Sequence, residues 1–443
     1  MSRVRAVLGT AAVLALAACS QPQFPGEDQF GPDPKLPEPQ QYLIPPLRIA
    51  APVGFKAGET PVVPPGFTID AVARNLNGPR RILPLPNGDV LVVESGGPGF
   101  EPALRPKNIF FRLIIGAAHS PVKPGNRVLL LRDTNGDGAA DQRIVLIPKL
   151  TSPFGIAVVG DKLYVAATDA LWEYPFAPGG ASVGAGRILT NLPGGPIDHH
   201  WTKDLAASPD GTRLYVGIGS NSNIVENGFE AEKDRAMIWE VDRATGMHRP
   251  FATGLRNPNG LTFQPGSGRL FTVVNERDEL GNNLVPDYLT SVREGGFYGW
   301  PYSYYGQHVD VRVHPQDPAK VASAIRPDYA LGPHVAPLGL TFVAGGMMPA
   351  QFQGGAFVGE HGSWDRTVFT GYQVVFVRFA GGKPSGKPIP FVTGFIDPAK
   401  REAKGRPVGV AMDRSGALLV ADDVGNAVWR VRPVAAPALV AAR

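Results

Sequence analysis

The chain has 443 residues, and its net charge of +4 comes from 43 basic against 39 acidic side chains, a surplus too small and dispersed to mark a nucleic-acid partner. A charged fraction of 19%, with 54 glycines and 45 prolines, fits a turn-rich all-β domain and argues against a helical bundle. Cys19 is the single cysteine, so no intrachain disulfide can form and a large apolar core must hold the fold.

At the start of the chain, Arg3 and Arg5 precede an apolar run from Ala6 to Ala18. That is the order of a secretory signal, and the run is short for a membrane span. It ends Leu16-Ala17-Ala18-Cys19, which resembles the lipobox of bacterial lipoproteins. The resemblance implies cleavage behind Ala18, lipidation of Cys19, and a protein anchored to a bacterial membrane on its periplasmic or outer side. Residues 1–18 are therefore expected as a signal peptide. Residues 19–65, dense in proline, are expected as an extended tether.

From residue 66 to 433 one pattern returns six times: a polar turn bearing glycine, then an apolar strand. The copies span Leu85–Glu94, Val159–Ala166, Ser208–Gly217, Gln264–Val273, Phe352–Gly359 and Asp413–Ala421. Turn glycines supply the positive φ of a tight hairpin, and the β-branched and aromatic residues that follow suit a buried strand. Several copies lead into a further strand, as at Leu171–Tyr174, Met237–Val241 and Ala427–Val431. Six units of about 60 residues predict an all-β, six-bladed β-propeller, longer per unit than small propeller repeats. The surplus falls in loops at 98–127, 175–203 and 276–334, and residues 434–443 are left as a tail.

Three loop segments next to repeat strands hold the unusual polar residues. Asp198 to Asp204 contains the pair His199 and His200, and an imidazole titrates where a general base must; the pair serves equally as surface or packing residues. Thr253 to Leu261 places Arg256 and Asn257 before a proline, where an arginine fork can address a carboxylate or stabilise a turn. Glu276, Asp278 and Glu279 open a loop whose oxygens suit Ca²⁺ or are solvated charge. Asp133 to Asp141 has the alternate oxygens of a calcium loop, but Ile144 stands at the twelfth position, so it reads as a hairpin turn.

His200 with Ser208–Val216, Leu255–Leu261 and Gly296–Pro301 resembles the soluble glucose and sorbosone dehydrogenases that use pyrroloquinoline quinone (PQQ). His200–Lys203, Asn275–Leu280 and Gly359–Arg366 look most like the sorbosone-type branch. The resemblance implies oxidation of an aldose or ketoaldose, dependent on PQQ and Ca²⁺, with electrons passed to an extracytoplasmic acceptor such as a cytochrome or quinone. It makes His200 the catalytic base and places Arg256 and Asn257 at the quinone oxygens, with Arg256 stabilising the reduced cofactor. Lys404 and Arg406 match residues that hold cofactor carboxylates. The backbone around Asp278 and Glu279, with Glu276, matches the loop that binds Ca²⁺. Two positions depart from the pattern. His199 stands where the glucose enzymes carry Asp before the base, leaving Asp198 or Asp204 to orient it; the lysine of the fifth unit has no match, and His361 and Arg366 are nearest. A calcium-dependent lactonase and a non-catalytic binding propeller are the competing functions, since fold alone does not fix chemistry.

Overall fold

A computed structural model describes residues 26–42, 46–98, 116 and 120–434. The expected signal run and Cys19 lie outside the described residues, as does most of the expected loop at 98–127. The expected all-β class is met: among the described residues strands dominate, and helix is confined to short segments such as Pro318–Ser323.

Six four-stranded antiparallel sheets follow one another along the chain. Their first two strands are Pro79–Pro84 and Val90–Glu94, Gly155–Val159 and Lys162–Ala166, Lys203–Ala207 and Arg213–Ile218, Pro258–Phe263 and Leu270–Val274, Pro337–Phe342 and Ala356–Glu360, and Pro407–Met412 and Leu418–Asp422. All six turn repeats read from the sequence fall between these paired strands. Gly88, Gly211 and Gly416 show why: each adopts a positive φ (101°, 70° and 84°) that a side chain would strain. The sixth sheet is completed by the earliest long strand, Phe67–Ala73, which pairs with Ala427–Pro433 in the register Phe67↔Pro433. The two ends of the repeat region thus share one sheet.

Burial explains the strand composition. Val90–Glu94, Leu270–Val274, Ala356–Glu360 and Leu418–Asp422 are buried at every residue. Their sheets are covered on both faces, so apolar residues run on without alternation. Phe67–Ala73 lies at a sheet edge and alternates instead. Six apolar clusters each join two consecutive sheets, and one, including Val92, Leu131, Leu419 and Val428, joins the sixth to the first. The first strands also touch in this order. A Cβ at Gly339 would stand 2.2 Å from Val408 O, and one at Gly409 would stand 2.6 Å from Arg80 O. Only glycine lets these strands approach so closely. This is the packing of a β-propeller.

The proline-rich segment departs from expectation. Its described residues open with a 3-10 turn at Gly26–Gln29 and are docked on the sheets at several points. Gly31 bridges Ala330, Ala51–Pro52 pairs in parallel with Glu402–Ala403, and Val62 bridges Thr393. Phe55 packs edge-on against Trp429 at 5.4 Å and Phe395 at 5.9 Å. Burying aromatic surface on a preformed core offsets the entropy of fixing this chain, which composition alone cannot reveal.

Candidate active site

In each sheet the start of the first strand pairs with the end of the second, as in Lys203↔Ile218, Pro258↔Val274, Pro337↔Glu360 and Pro407↔Asp422. Residues entering the first strand and leaving the second therefore emerge at one end. This topology gathers His200, Arg256, Asn257, Asp278, His361 and Arg406, although they span more than 200 positions of sequence.

His200 is half-buried, and its Nδ1 lies 3.0 Å from both Ser220 O and Ser220 Oγ. Ser220 Oγ donates its own proton to Ser222 O at 2.6 Å, so both Ser220 oxygens act as acceptors and fix the His200 proton on Nδ1. The Nε2 lone pair is left to meet a ligand. Burial, with Arg256 and His199 nearby, pushes the pKa of His200 well below 6.5, so the ring is neutral near pH 7. Neither Asp198 nor Asp204 orients it. Asp198 accepts from Arg235 at 2.7 Å, and Asp204 faces Arg81 at 3.2 Å and accepts from Leu261 N. Ser220 takes the orienting role in their place; the polar run Ser220 to Asn223 at a strand end was the available signal. A Cβ at Gly219 would lie 2.4 Å from His200 Cβ and 2.6 Å from Asn257 Oδ1, which places Asn257 beside the base.

Arg256 is corrected from cofactor contact to scaffold. Its guanidinium is buried and all of its nitrogens are engaged: Nε with Asn223 O, Nη1 with Asn275 O and Glu276 O, Nη2 with Asn223 Oδ1 and Asp278 Oδ2. No donor remains for a quinone oxygen. The expected Ca²⁺ loop is likewise occupied. Arg312 donates to Asp278 O at 3.1 Å and Glu279 O at 3.4 Å, and Asn223 donates to Asp278 O. A guanidinium stands where the cation would need those oxygens, so this loop does not fit Ca²⁺. The Glu276 carboxylate is buried against Arg277 at 3.1 Å. The metal-capable group among the described residues is Asp278, His334 and Asp365, two of which the sequence reading missed.

A second set lies toward the first, fifth and sixth sheets. Arg80 pairs with Asp423 and stands over the Trp201 ring at 5.3 Å, while its Nε has no hydrogen-bond partner. His361 Nε2 lies 3.0 Å from Asp423 Oδ2. Burial and Arg406 push His361 down to about 4, so the neutral ring donates to the Asp423 carboxylate. Arg406 donates to His361 O and Gly362 O and caps the Tyr372 ring at 5.2 Å. Lys404 is drawn away to Glu59 at 3.5 Å, and Arg366 to Asn283 Oδ1 at 2.7 Å, so neither joins this set. Lys203 is buried, donates to Trp201 O at 3.2 Å, and is pushed down to about 7 by burial and Arg235. Two guanidinium groups against one carboxylate leave a positive surplus beside Trp201. With the unpartnered Arg80 Nε, that fits a planar, anionic cofactor.

The glucose / sorbosone dehydrogenase family model matches residues 179–364, which carry the base and the Arg256 and Asp278 loops. This region is similar to that family. A TrAA12-like model matches residues 308–433. The chain is 28% identical over 303 residues to an uncharacterized protein of Borreliella burgdorferi, covering 66% of this chain and 78% of that one. It is 23% identical over 355 residues to a pyrroloquinoline quinone-dependent pyranose dehydrogenase of Coprinopsis cinerea, covering 70% of this chain but 44% of that enzyme. Among solved structures, the holo PQQ domain of the Coprinopsis cinerea pyranose dehydrogenase superposes with a TM-score of 0.68 at 20% identity, over 87% of this chain and 100% of that domain. The calcium structure of the Trichoderma reesei family AA12 protein gives 0.68 at 20% identity, over 88% and 99%. The PQQ-bound aldose sugar dehydrogenase of Streptomyces coelicolor gives 0.55 at 16%, over 84% and 99%. These likenesses establish the propeller fold of the glucose / sorbosone dehydrogenases across most of the chain.

Proposed function

We propose that this chain is a PQQ-dependent sugar dehydrogenase, its six sheets acting as the blades of a six-bladed propeller and His200 as the base. One observation carries the reading: a neutral imidazole, its proton fixed on Nδ1 by Ser220, keeps the Nε2 lone pair free, and the His200 side chain stands beside Asn257 across Gly219. The resemblance to PQQ enzymes supports the cofactor, and Arg80 and Arg406 would hold its carboxylates over Trp201. When bound, the quinone supplies a two-electron acceptor for the hydride leaving a sugar C–H. His200 Nε2 takes the proton of the hydroxyl on that carbon, leaving a C=O, so two electrons and two hydrogens depart the sugar together. Asn257 positions the reacting hydroxyl, and Ser220 holds the ring while it is charged. The sugar is an aldose or ketoaldose in this reading, and the electron acceptor lies outside the cytoplasm. The opening run that ends at Cys19 supports export and lipid anchoring.

A calcium-dependent lactonase needs converging carboxylates open to substrate. The converging set among the described residues is Asp278, His334 and Asp365, of which the last two are buried. The deciding experiment titrates PQQ into the purified protein and follows Trp fluorescence, then dye reduction with a panel of sugars. Saturable quenching with sugar-dependent dye reduction is expected; no PQQ binding would overturn the reading.

A further inference from the structure

We propose that Asp278, His334 and Asp365 form a binding site for one divalent transition-metal ion, which would bind without the quinone. The three come from different connections: the loop after Leu270–Val274, the turn between the fourth and fifth sheets, and the loop after Ala356–Glu360. One ligand atom from each lies within 4.8 Å of the others, and His334 Nδ1 stands 3.5 Å from Asp278 Oδ1.

The orientation of His334 is that of a metal ligand. Its Nε2 lies 3.1 Å from Gly281 O, a carbonyl that can only accept, so the ring proton is on Nε2. In the neutral ring the Nδ1 lone pair then faces carboxylates. Such an arrangement is repulsive unless a second ring proton or a metal cation sits among them, and a histidine that donates its other N–H to a carbonyl is the usual support of a metal site. Asp365 gives the second, independent sign. It is 1% exposed, its Oδ2 accepts from Glu279 N at 2.8 Å, and its Oδ1 has no partner in the chain. Leaving a buried acceptor unpaired costs roughly 1–3 kcal/mol, more when it is charged. A bound ion at that oxygen removes the penalty.

Asp278 also accepts from Arg256 through Oδ2, leaving Oδ1 for the ion. The ligand chemistry selects the metal. One imidazole nitrogen with two carboxylate oxygens suits Zn²⁺ or Mn²⁺, while Ca²⁺ favours oxygen alone.

The test uses the full chain, stripped with a chelator, without PQQ, and dialysed separately against Zn²⁺, Co²⁺ and Ca²⁺. One Zn²⁺ or Co²⁺ per chain is expected by mass spectrometry, with a visible Co²⁺ absorption band. Asp365→Asn and His334→Gln should each weaken binding about 10-fold or more. X-ray absorption at the zinc edge of the wild type should show an imidazole ligand, which decides the matter even if a variant does not fold. A wild type without stoichiometric metal, a zinc site lacking imidazole, or folded variants that bind as the wild type does would overturn the proposal in favour of a protonated His334. Because PQQ is absent throughout, failure here leaves the dehydrogenase reading standing.

Discussion

Arg256 Nη2 donates to Asp278 Oδ2 at 3.0 Å, a buried ion pair that links the loop entering the fourth sheet to the loop leaving its second strand. Because the remaining Arg256 nitrogens hold Asn223 and the carbonyls of Asn275 and Glu276, this one side chain fastens three loop segments around the base.

Arg256→Ala should therefore act first on stability. Removing the guanidinium leaves the part-buried Asp278 with His334 as its remaining partner, at a cost approaching the roughly 3–5 kcal/mol of a buried pair. Urea unfolding followed by tryptophan fluorescence measures it. Near-wild-type stability with a selective loss of PQQ affinity would return Arg256 to the cofactor.

His200→Ala should keep the fold and lose about 10²-fold or more in turnover, the usual scale for a general base. His199→Ala should cost less. Because burial and Arg256 lower the His200 pKa, the ring stays neutral as pH falls below 6.5, and the acidic limb of turnover should lie below that value. The pH profile of dye reduction checks it. A limb above 6.5, or a larger loss at His199, would show that the base is misplaced.

Gly219→Ala should harm catalysis without touching any reacting group. The added Cβ would meet His200 Cβ at 2.4 Å and Asn257 Oδ1 at 2.6 Å, so the base must move. Displacing a catalytic group by about 1 Å can cost on the order of 10²-fold. Turnover unchanged from wild type would mean that this neighbourhood is not the reacting centre.

Phe55→Ala distinguishes a docked N-terminal segment from a free tether. The ring is half-buried between Trp429 and Phe395, and truncating it should destabilise the protein by roughly 2–3 kcal/mol, below the cost of a fully buried Phe. An unchanged urea midpoint would restore the tether.

Cys19→Ser should release the protein from membranes, because the acyl chains that would hold it attach to that sulfur. Fractionation after a high-salt wash gives the answer. Retention of the variant in the membrane fraction would remove the anchor.

The sequence by itself determined the repeat. Turn glycines at Gly88, Gly160, Gly211, Gly268, Gly354 and Gly416, each followed by an apolar run, are local signals, because backbone sterics and side-chain alternation act over a few residues. It also pointed to His200 and to the loops that surround it. Tertiary structure alone decided which polar atoms remain available. Arg80 meets Asp423 across 343 residues, Asp365 meets Glu279 across 86, and Ser220 reaches His200 across a turn between strands. Folding likewise engages every donor of Arg256 and leaves Arg80 Nε and Asp365 Oδ1 without a hydrogen-bond partner. A buried group's chemistry depends on the partners that folding brings to it, and sheets that close on one another bring partners from the far ends of the chain.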